Sequence, residues 1–292
     1  IFFRASAAPI MSNMIRVALC QVKVGMDKAA NVQNALNHIK TAVTVGGANF
    51  VVLPECFQTP YGTKFFPEYA EEIPDGTTCE AMRAAAAEHN ITLVAGSIAE
   101  KQNGKVFNTS CAWGPDGSLL GKYRKMHLFK LNTDKVKFDE SETLTAGDSL
   151  QTFNCQGMTV GMGICFDLRF AEHSLSYNRL GCNILVYPGA FNMVTGPPHW
   201  QLHARARAVD TQSYVLMCSP ARDVNSEAGY VAYGHSIAVD PWGEVLVEAN
   251  DEEGIFYADI SPARVADVKR QLPIESGRRH DLYTVSFAPG AH

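Results

Sequence analysis

Residues 50–55 read FVVLPE, an unbroken run of four apolar residues followed by a proline and a carboxylate. Such runs, without polar alternation, are typical of strands that are buried on both faces of a sheet covered by helices. Upstream, residues 15–22 predict another strand, and Asp27 can cap a helix between the two. The apolar positions that recur at helical spacing in that helix are Val32, Leu36, Ile39 and Val43. The chain therefore opens strand, helix, strand.

The same alternation continues along the chain. Helices are predicted near 77–89, 170–180, 198–210 and 262–271, and strands at 91–95, 106–113, 119–123, 158–164, 183–187, 214–219, 236–239, 245–248 and 255–260. Because hairpins interrupt the alternation, the pattern predicts an α/β fold with mixed sheets covered by helices. No linker divides residues 11–287, so we expect a single domain there, followed by a tail at 288–292. Residues 1–10 are interpreted as a disordered extension, either a transit remnant or added upstream sequence.

Composition excludes several classes of function. The chain has 292 residues, 46% of them hydrophobic, and can bury a large core. Its formal charge of -5 gives no general attraction for nucleic acid or for anionic membranes, and no apolar stretch is long enough to span a bilayer. Eight cysteines without a CxxC pair favour a reducing compartment, the cytoplasm or alternatively mitochondria. Two glycosylation sequons, at Asn90 and Asn108, lie in strand-like runs and are interpreted as chance matches.

The sharpest local signal is VGMGICFD at residues 160–167, a predicted strand that ends in Cys165 just before a helical segment. A thiol near a helix N-terminus is expected to have a lowered pKa, because the positive helix end and nearby N–H groups favour the thiolate. The backbone N–H of Phe166 would point toward a developing oxyanion. Taken alone, a free cysteine is more often a small buried apolar residue than a nucleophile.

Two charged residues stand at comparable positions. Glu55 ends the apolar run, where functional groups of α/β sheets commonly lie, and partial burial there would raise its pKa as a general base requires. Lys125 lies in the basic stretch GKYRKMHL, residues 121–128. Each has an ordinary alternative, which is a solvated strand end for Glu55 and an exposed basic strand for Lys125.

Other catalytic patterns are missing from the sequence. It contains no GxSxG, GxxxxGK[ST] or HExxH motif. His199 and His203 share a helix face at a spacing that can bind metal. A structural role is favoured for both, because no cluster of further ligands accompanies them.

Together, these segments resemble the nitrilase, or carbon-nitrogen hydrolase, superfamily from about residue 15 to residue 287. The glutamate motif is matched by LPE at 53–55, the lysine motif by YRKMHL at 123–128 and the cysteine motif by GICFDLRF at 163–170. The second glutamate of the family falls at Glu140, in FDES. The resemblance implies a four-layer αββα sandwich that dimerises and that needs no cofactor or metal.

Within the superfamily, the chain looks most like the omega-amidase branch of the Nit proteins. The similarity lies in PYGTKFF at 60–66, YPGAFN at 187–192 and SPARD at 219–223. Those enzymes hydrolyse the terminal amide of α-ketoglutaramate and α-ketosuccinamate. The resemblance implies that Cys165 is the nucleophile and Glu55 the general base. Lys125 and the Phe166 N–H would stabilise the oxyanion, with Glu140 holding Lys125.

Substrate choice is expected to depend on a group that binds the distal carboxylate. Arg169 is the candidate, because its planar guanidinium binds carboxylates bidentately. Phe191 and Thr195 match the substrate loop of the family, and Tyr61 and Lys64 are expected to close over the other side. One departure from the family pattern is KLNTDKV at 130–136, where a loop that starts with acidic residues is expected in animal relatives. This segment is expected beside the pocket entrance and so bears on specificity.

Alternatives remain open. A deaminated glutathione amidase would use the same three residues on a larger substrate, as would a true nitrilase on a nitrile. An inactive scaffold that binds a metabolite or a protein has no physical need for all three. Comparing turnover of α-ketoglutaramate with turnover of deaminated glutathione tests the first alternative. Selective labelling of Cys165 distinguishes an active enzyme from the inactive scaffold.

Overall fold

A computed structural model describes residues 14–134 and 136–284. The predicted extension at 1–10 and the tail at 288–292 lie outside this part. The strands that it contains are β1 (Ile15–Gln21), β2 (Phe50–Val52), β3 (Thr92–Val94), β4 (Ile98–Gln102), β5 (Lys105–Trp113), β6 (Leu119–Arg124), β7 (Lys130–Asn132), β8 (Lys137–Asp139), β9 (Thr152–Cys155), β10 (Met158–Met162), β11 (Ile184–Pro188), β12 (Tyr214–Cys218), β13 (Ile237–Val239), β14 (Val245–Glu248) and β15 (Gly254–Ile260). The α-helices are α1 (Lys28–Thr44), α2 (Phe66–Tyr69), α3 (Thr77–Glu88), α4 (Ala171–Arg179), α5 (Gly196–Thr211), α6 (Pro262–Gln271) and α7 (Ile274–Gly277), and two 3-10 helices span Glu140–Glu142 and Cys165–Arg169.

Two sheets form the centre of the fold. Within the described ranges, the first sheet has seven strands in the order β15-β1-β2-β3-β5-β4, with β6 also paired to β5. The second has six strands in the order β14-β13-β12-β11-β10-β9, and β7 pairs with β8 alone. Strands β1, β2 and β3 are parallel to one another, as are β10, β11 and β12. Each sheet therefore gathers the carboxyl ends of its central strands at one edge.

The alternation of side chains along β1 separates the layers. Val17 and Leu19 join the core between the two sheets, whereas Ala18 and Cys20 pack with α1 and α3 on the outer face. On the other side, α5 packs against β12 and β13, and α4 packs against α5. The order is helix, sheet, sheet, helix, so the predicted αββα sandwich is confirmed. No helix in the described ranges is long and apolar enough to cross a membrane.

The elements differ from the predicted ones where local patterns are weak. The four later helices are confirmed within two residues at each end. The predicted strand 158–164 is wrong at its end, because β10 ends at Met162 and the backbone turns at Cys165, where φ is 50°. The short strands β4, β7, β8 and β9 were missed, since three to five residues give too little alternation to recognise.

Gly163 packs directly against an aromatic ring at the carboxyl edge of the second sheet. A Cβ atom there would lie 2.3 Å from Cε1 of Tyr187 and 2.9 Å from Cε1 of His173. We expect Gly163→Ala to lower the free energy of unfolding by about 1–3 kcal/mol, because the buried Tyr187 ring must shift. Urea unfolding measures the change. Gly277→Ala is the control, since nothing lies within 4 Å of its added Cβ; equal stability of the two variants would contradict the expected crowding.

Candidate active site

Three charged side chains meet at the carboxyl edges of the sheets, where Glu55 follows β2, Lys125 follows β6 and Glu140 follows β8. The Lys125 ammonium donates to Oε1 of Glu55 at 2.8 Å and to Oε1 of Glu140 at 2.9 Å. All three side chains are 0% exposed. Both ordinary alternatives, a solvated strand end and an exposed basic strand, are therefore wrong. Tyr123 and Lys125 lie on the same face of the chain and are both buried, so this face points inward.

Glu55 is held by donors from three separate segments. Besides Lys125, it accepts hydrogen bonds from Nδ2 of Asn108 at 2.9 Å and from the N–H of Ala190 at 2.8 Å. Burial raises the pKa of Glu55, and the charge of Lys125 only partly offsets that rise. The carboxylate is thus fixed in place and disposed to accept a proton.

Lys125 is a permanent cation. Burial opposes its charged form, but attraction to Glu140 and Glu55 brings its pKa well above the usual value. Its backbone N–H donates to the carbonyl of Asn108 at 2.8 Å, so Asn108 contacts both Glu55 and Lys125.

Glu140 begins a 3-10 helix and is satisfied by three donors. It accepts from Lys125, from the hydroxyl of Tyr61 at 2.6 Å and from the N–H of Phe129 at 2.6 Å. Burial, and then the negative charge of Glu140, raises the pKa of Tyr61, so this hydroxyl remains a donor. Tyr61 therefore contacts the cluster through Glu140.

Cys165 lies on a strained turn and keeps its proton. It is 4% exposed, and its φ of 50° is a left-handed conformation that costs an L-residue about 1–2 kcal/mol. Burial, and then the charge of Glu55, raises the pKa of the thiol well above the usual value. The expected lowering is wrong, because one short 3-10 helix cannot outweigh complete burial beside a carboxylate. Phe166 follows in the first turn of that helix, where N–H groups have no acceptor within the helix.

Asp167 ties the cysteine turn to the segment that follows Lys125. Its Oδ2 accepts from the N–H of Ile164 at 2.9 Å and from the hydroxyl of Tyr123 at 2.8 Å. Its Oδ1 accepts from the N–H of His127 at 2.9 Å and lies 2.8 Å from Nδ1 of the same ring. Burial would raise the pKa of Asp167, but its hydrogen bonds from His127, with further favourable contacts, lower it.

A chain of hydroxyls and one imidazole extends this network. The Tyr123 hydroxyl donates its only proton to Asp167. Nε2 of His173 lies 3.1 Å from the same hydroxyl oxygen, so this nitrogen must carry a proton and donate it to that oxygen. Nδ1 of His173 then accepts from Tyr187 at 3.4 Å. His173 is a neutral imidazole, and burial, the largest cause, lowers its pKa to about 4.

A cavity of about 190 Å³ opens at the thiol. It is lined by Phe129, Cys165, Phe166, Arg169, Ala190, Phe191, Thr195 and Tyr230. The structure thus brings the predicted residues Arg169, Phe191 and Thr195 together with Cys165. A second cavity, of about 410 Å³, shares Ala190 and Tyr230 and reaches Glu55 and Tyr61.

Lys64 is placed differently from the other predicted residues. Its side chain is exposed, its ammonium lies 4.6 Å from the centre of the Phe65 ring, and it lines neither cavity. The expectation that Lys64 closes over the pocket is not supported in the described residues. Tyr61 and Lys64 lie three residues apart in the same motif, and the sequence alone does not show that Tyr61 is buried whereas Lys64 is exposed.

Sequence reasoning missed Asn108, Asp167 and Tyr230. Asn108 lies in the polar run NTS inside a predicted strand, which was interpreted as a chance sequon. A buried polar side chain in a strand needs a hydrogen-bond partner, and that requirement was the available signal. Tyr230 lies in a loop without such a signal, yet its hydroxyl donates to the carbonyl of Ala190.

Removing Lys125 would leave two carboxylates buried without a counter-charge. We expect Lys125→Met to lower the free energy of unfolding by about 3–5 kcal/mol at pH 8. The loss should be smaller at pH 5.5. The pKa of folded Glu55 already lies above that of the unfolded chain and would rise further, so the folded state then binds a proton that the unfolded state does not. Urea unfolding at both pH values tests this, with the exposed Lys101→Met as control; a pH-independent loss would contradict it.

His173 links stability to pH. Its pKa falls from 6.5 in the reference state to about 4 in the fold, so the unfolded chain binds more protons between these values. Its contribution, about 3 kcal/mol, is complete above pH 6.5 and is lost as the pH falls toward 4. We expect His173→Gln to lose stability less steeply than wild type over this window in urea unfolding. Equal slopes for wild type and His173→Gln would refute the assignment.

Three comparisons place the chain among known proteins. The family described as "Carbon-nitrogen hydrolase" matches residues 16–270. Omega-amidase NIT2 of Homo sapiens is 51% identical over 273 residues, covering 93% of this chain and 98% of the human protein. Omega-amidase NIT2 of Danio rerio is also 51% identical, covering 93% and 97%. The crystal structure of Saccharomyces cerevisiae Nit3, a member of branch 10 of the nitrilase superfamily, superposes with a TM-score of 0.84 at 41% identity, covering 94% of this chain and 100% of Nit3. The chain therefore belongs to the carbon-nitrogen hydrolase family of the nitrilase superfamily.

Proposed function

We propose that the protein is an omega-amidase, which hydrolyses the terminal amide of 2-oxo dicarboxylic acid monoamides such as α-ketoglutaramate and α-ketosuccinamate to the dicarboxylate and ammonia. Relatives of that name match almost the whole chain at 51% identity. The observation that carries the proposal is that Arg169 lines the same cavity as Cys165. A reactive thiol and a guanidinium in one cavity suit a substrate with an amide at one end and a carboxylate at the other.

In the proposed mechanism, Cys165 attacks and Glu55 moves the protons. Glu55 takes the thiol proton as the sulfur bonds to the amide carbon, and the carbonyl electron pair moves onto the oxygen. Glu55 then gives the proton to the leaving nitrogen, and ammonia departs to leave a thioester. Water that gives a proton to Glu55 attacks this thioester, and the proton returns to sulfur as the acid leaves.

The charges of the site support these roles. The pKa values of the Cys165 thiol and of Glu55 are both raised. The raised pKa of Glu55 makes its carboxylate a stronger base, which favours transfer of the thiol proton to it. Lys125 stays charged throughout and, with the N–H of Phe166, would stabilise the oxyanion. Glu140 holds Lys125 at 2.9 Å, which fixes the ammonium while Glu55 changes its protonation.

The substrate-binding roles follow from the lining of the cavity. We assign the distal carboxylate to Arg169, with Phe191 and Thr195 forming the wall beside it. Tyr61 acts through its hydrogen bond to Glu140 rather than on the substrate. Lys64 receives no role, because its side chain lies outside the cavities.

We also propose that the enzyme is a homodimer without nucleic acid partners and that it acts in the cytoplasm, with mitochondria as the alternative. Exposed apolar side chains on the β13–β14 hairpin support contact with a second copy, with Trp242 of the turn 49% exposed and Leu246 of β14 40% exposed. The net charge of -5 gives no general attraction for phosphate backbones. The eight free cysteines suit a reducing compartment.

Ammonia release from α-ketoglutaramate tests the proposed function. We expect release by wild type, none above background by Cys165→Ala, and near wild-type release by the control Cys182→Ala, whose thiol is buried away from the site. Glu55→Gln should also release no ammonia above background, because in the proposed mechanism Glu55 both takes the thiol proton and protonates the leaving nitrogen. No release by folded wild type would reject this substrate. Release from deaminated glutathione instead would then identify the larger amide as the substrate.

A further inference from the structure

Arg169 is held by two histidines instead of a carboxylate. Its Nη1 lies 3.1 Å from Nδ1 of His199 and 3.4 Å from Nε2 of His203. The two histidines are one turn apart on α5, and all three side chains are half-buried. The two ring nitrogens whose spacing could bind a metal thus face the guanidinium of Arg169 instead.

The chemistry of these contacts fixes the state of the rings. A guanidinium has five N–H donors and no acceptor, so each facing ring nitrogen must present a lone pair. Both imidazoles are then neutral. In agreement, burial, and then the charges of Arg169 and Arg207, lowers the pKa of His203 to about 4.

Neutral partners leave the charge of Arg169 uncompensated. Other half-buried or buried arginines of the described chain pair with carboxylates, such as Arg207 with Asp210 at 3.1 Å and Arg222 with Asp251 at 2.7 Å. No such ion pair involves Arg169 among the described residues, and its guanidinium carbon lies 4.7 Å from the centre of the Phe191 ring. The cavity therefore contains a fixed cation that an incoming anion can neutralise.

We propose that His199 and His203 are positioning residues that hold Arg169 without neutralising it, and so select substrates that carry a distal carboxylate. The proposal rests on the proposed function in taking Arg169 as the carboxylate-binding group. It extends that function by naming what sets the orientation and the free charge of Arg169. A carboxylate at either histidine position would also accept a hydrogen bond from the Arg169 guanidinium, but its negative charge would cancel the positive charge of Arg169.

Variants of His203 separate holding from charge. His203→Phe removes one acceptor, His203→Gln restores one through its amide oxygen, and His203→Glu adds an acceptor with a negative charge. Leu202→Glu is the matched control, since it adds the same charge to α5 at a position that is 62% exposed. The readouts are kcat and KM for α-ketoglutaramate and for butyramide, a neutral amide.

We expect His203→Glu to raise KM for α-ketoglutaramate at least tenfold while kcat changes less than threefold and KM for butyramide stays within twofold. His203→Phe should raise KM for the acidic amide by a smaller factor, and His203→Gln should return it toward wild type. Leu202→Glu should match wild type. Equal losses on both amides, or an unchanged KM for the acidic amide in His203→Glu, would overturn the proposal.

Binding without turnover distinguishes this inference from the proposed function. Calorimetric titration with α-ketoglutarate, in the Cys165→Ala background, measures recognition of the carboxylate alone. At least tenfold weaker binding after His203→Glu, but not after Leu202→Glu, supports the positioning role even if wild type fails to hydrolyse α-ketoglutaramate. Unchanged binding, or no binding to Cys165→Ala at all, counts against it.

Discussion

One buried ammonium between two buried carboxylates is the constraint on which the rest of the site depends. Lys125, Glu55 and Glu140 are all 0% exposed, and taking each such ion out of water costs several kcal/mol before any contact offsets it. The fold offsets this cost with neutral donors, from Asn108 and Ala190 to Glu55 and from Tyr61 and Phe129 to Glu140. These donors come from loops and strands far apart in sequence. The cluster is therefore complete only when both sheets are in place.

A second buried anion, Asp167, supports the turn at Cys165 as the neutral donors of the first cluster support Glu55. Asp167 accepts four hydrogen bonds, two of them from His127. It thereby joins the turn at Cys165 to the segment that follows Lys125. The left-handed backbone of Cys165 persists because this network and the packing at Gly163 surround it. Rigid support of this kind keeps reacting groups in position without substrate.

The sequence analysis was most successful where chemistry coincides with the end of a strand. The positions of Glu55 and Cys165 follow from apolar runs, and motif order added Lys125 and Glu140. Burial of these side chains, and the pKa direction of Cys165, depend on contacts between distant segments. No local pattern encodes those contacts, so the pKa direction was predicted wrongly. The supporting groups Asn108 and Asp167 were missed for a related reason, since a polar residue acquires meaning only from the partner that folding brings to it. The hairpin of β7 and β8 escaped because its strands of three residues carry little alternation.

The raised pKa of Cys165 has a consequence for oxidative chemistry. Peroxides oxidise thiolates far more readily than thiols, and access to the sulfur matters as much as its charge. A thiol that is 4% exposed and holds its proton beside Glu55 is a poor target for oxidants while the cavity is empty. Sulfenic acid formation at Cys165 should therefore be slow compared with that at an exposed, low-pKa redox-sensing cysteine. In the proposed mechanism, the arrangement that leaves proton removal to Glu55 during catalysis also protects Cys165 between turnovers.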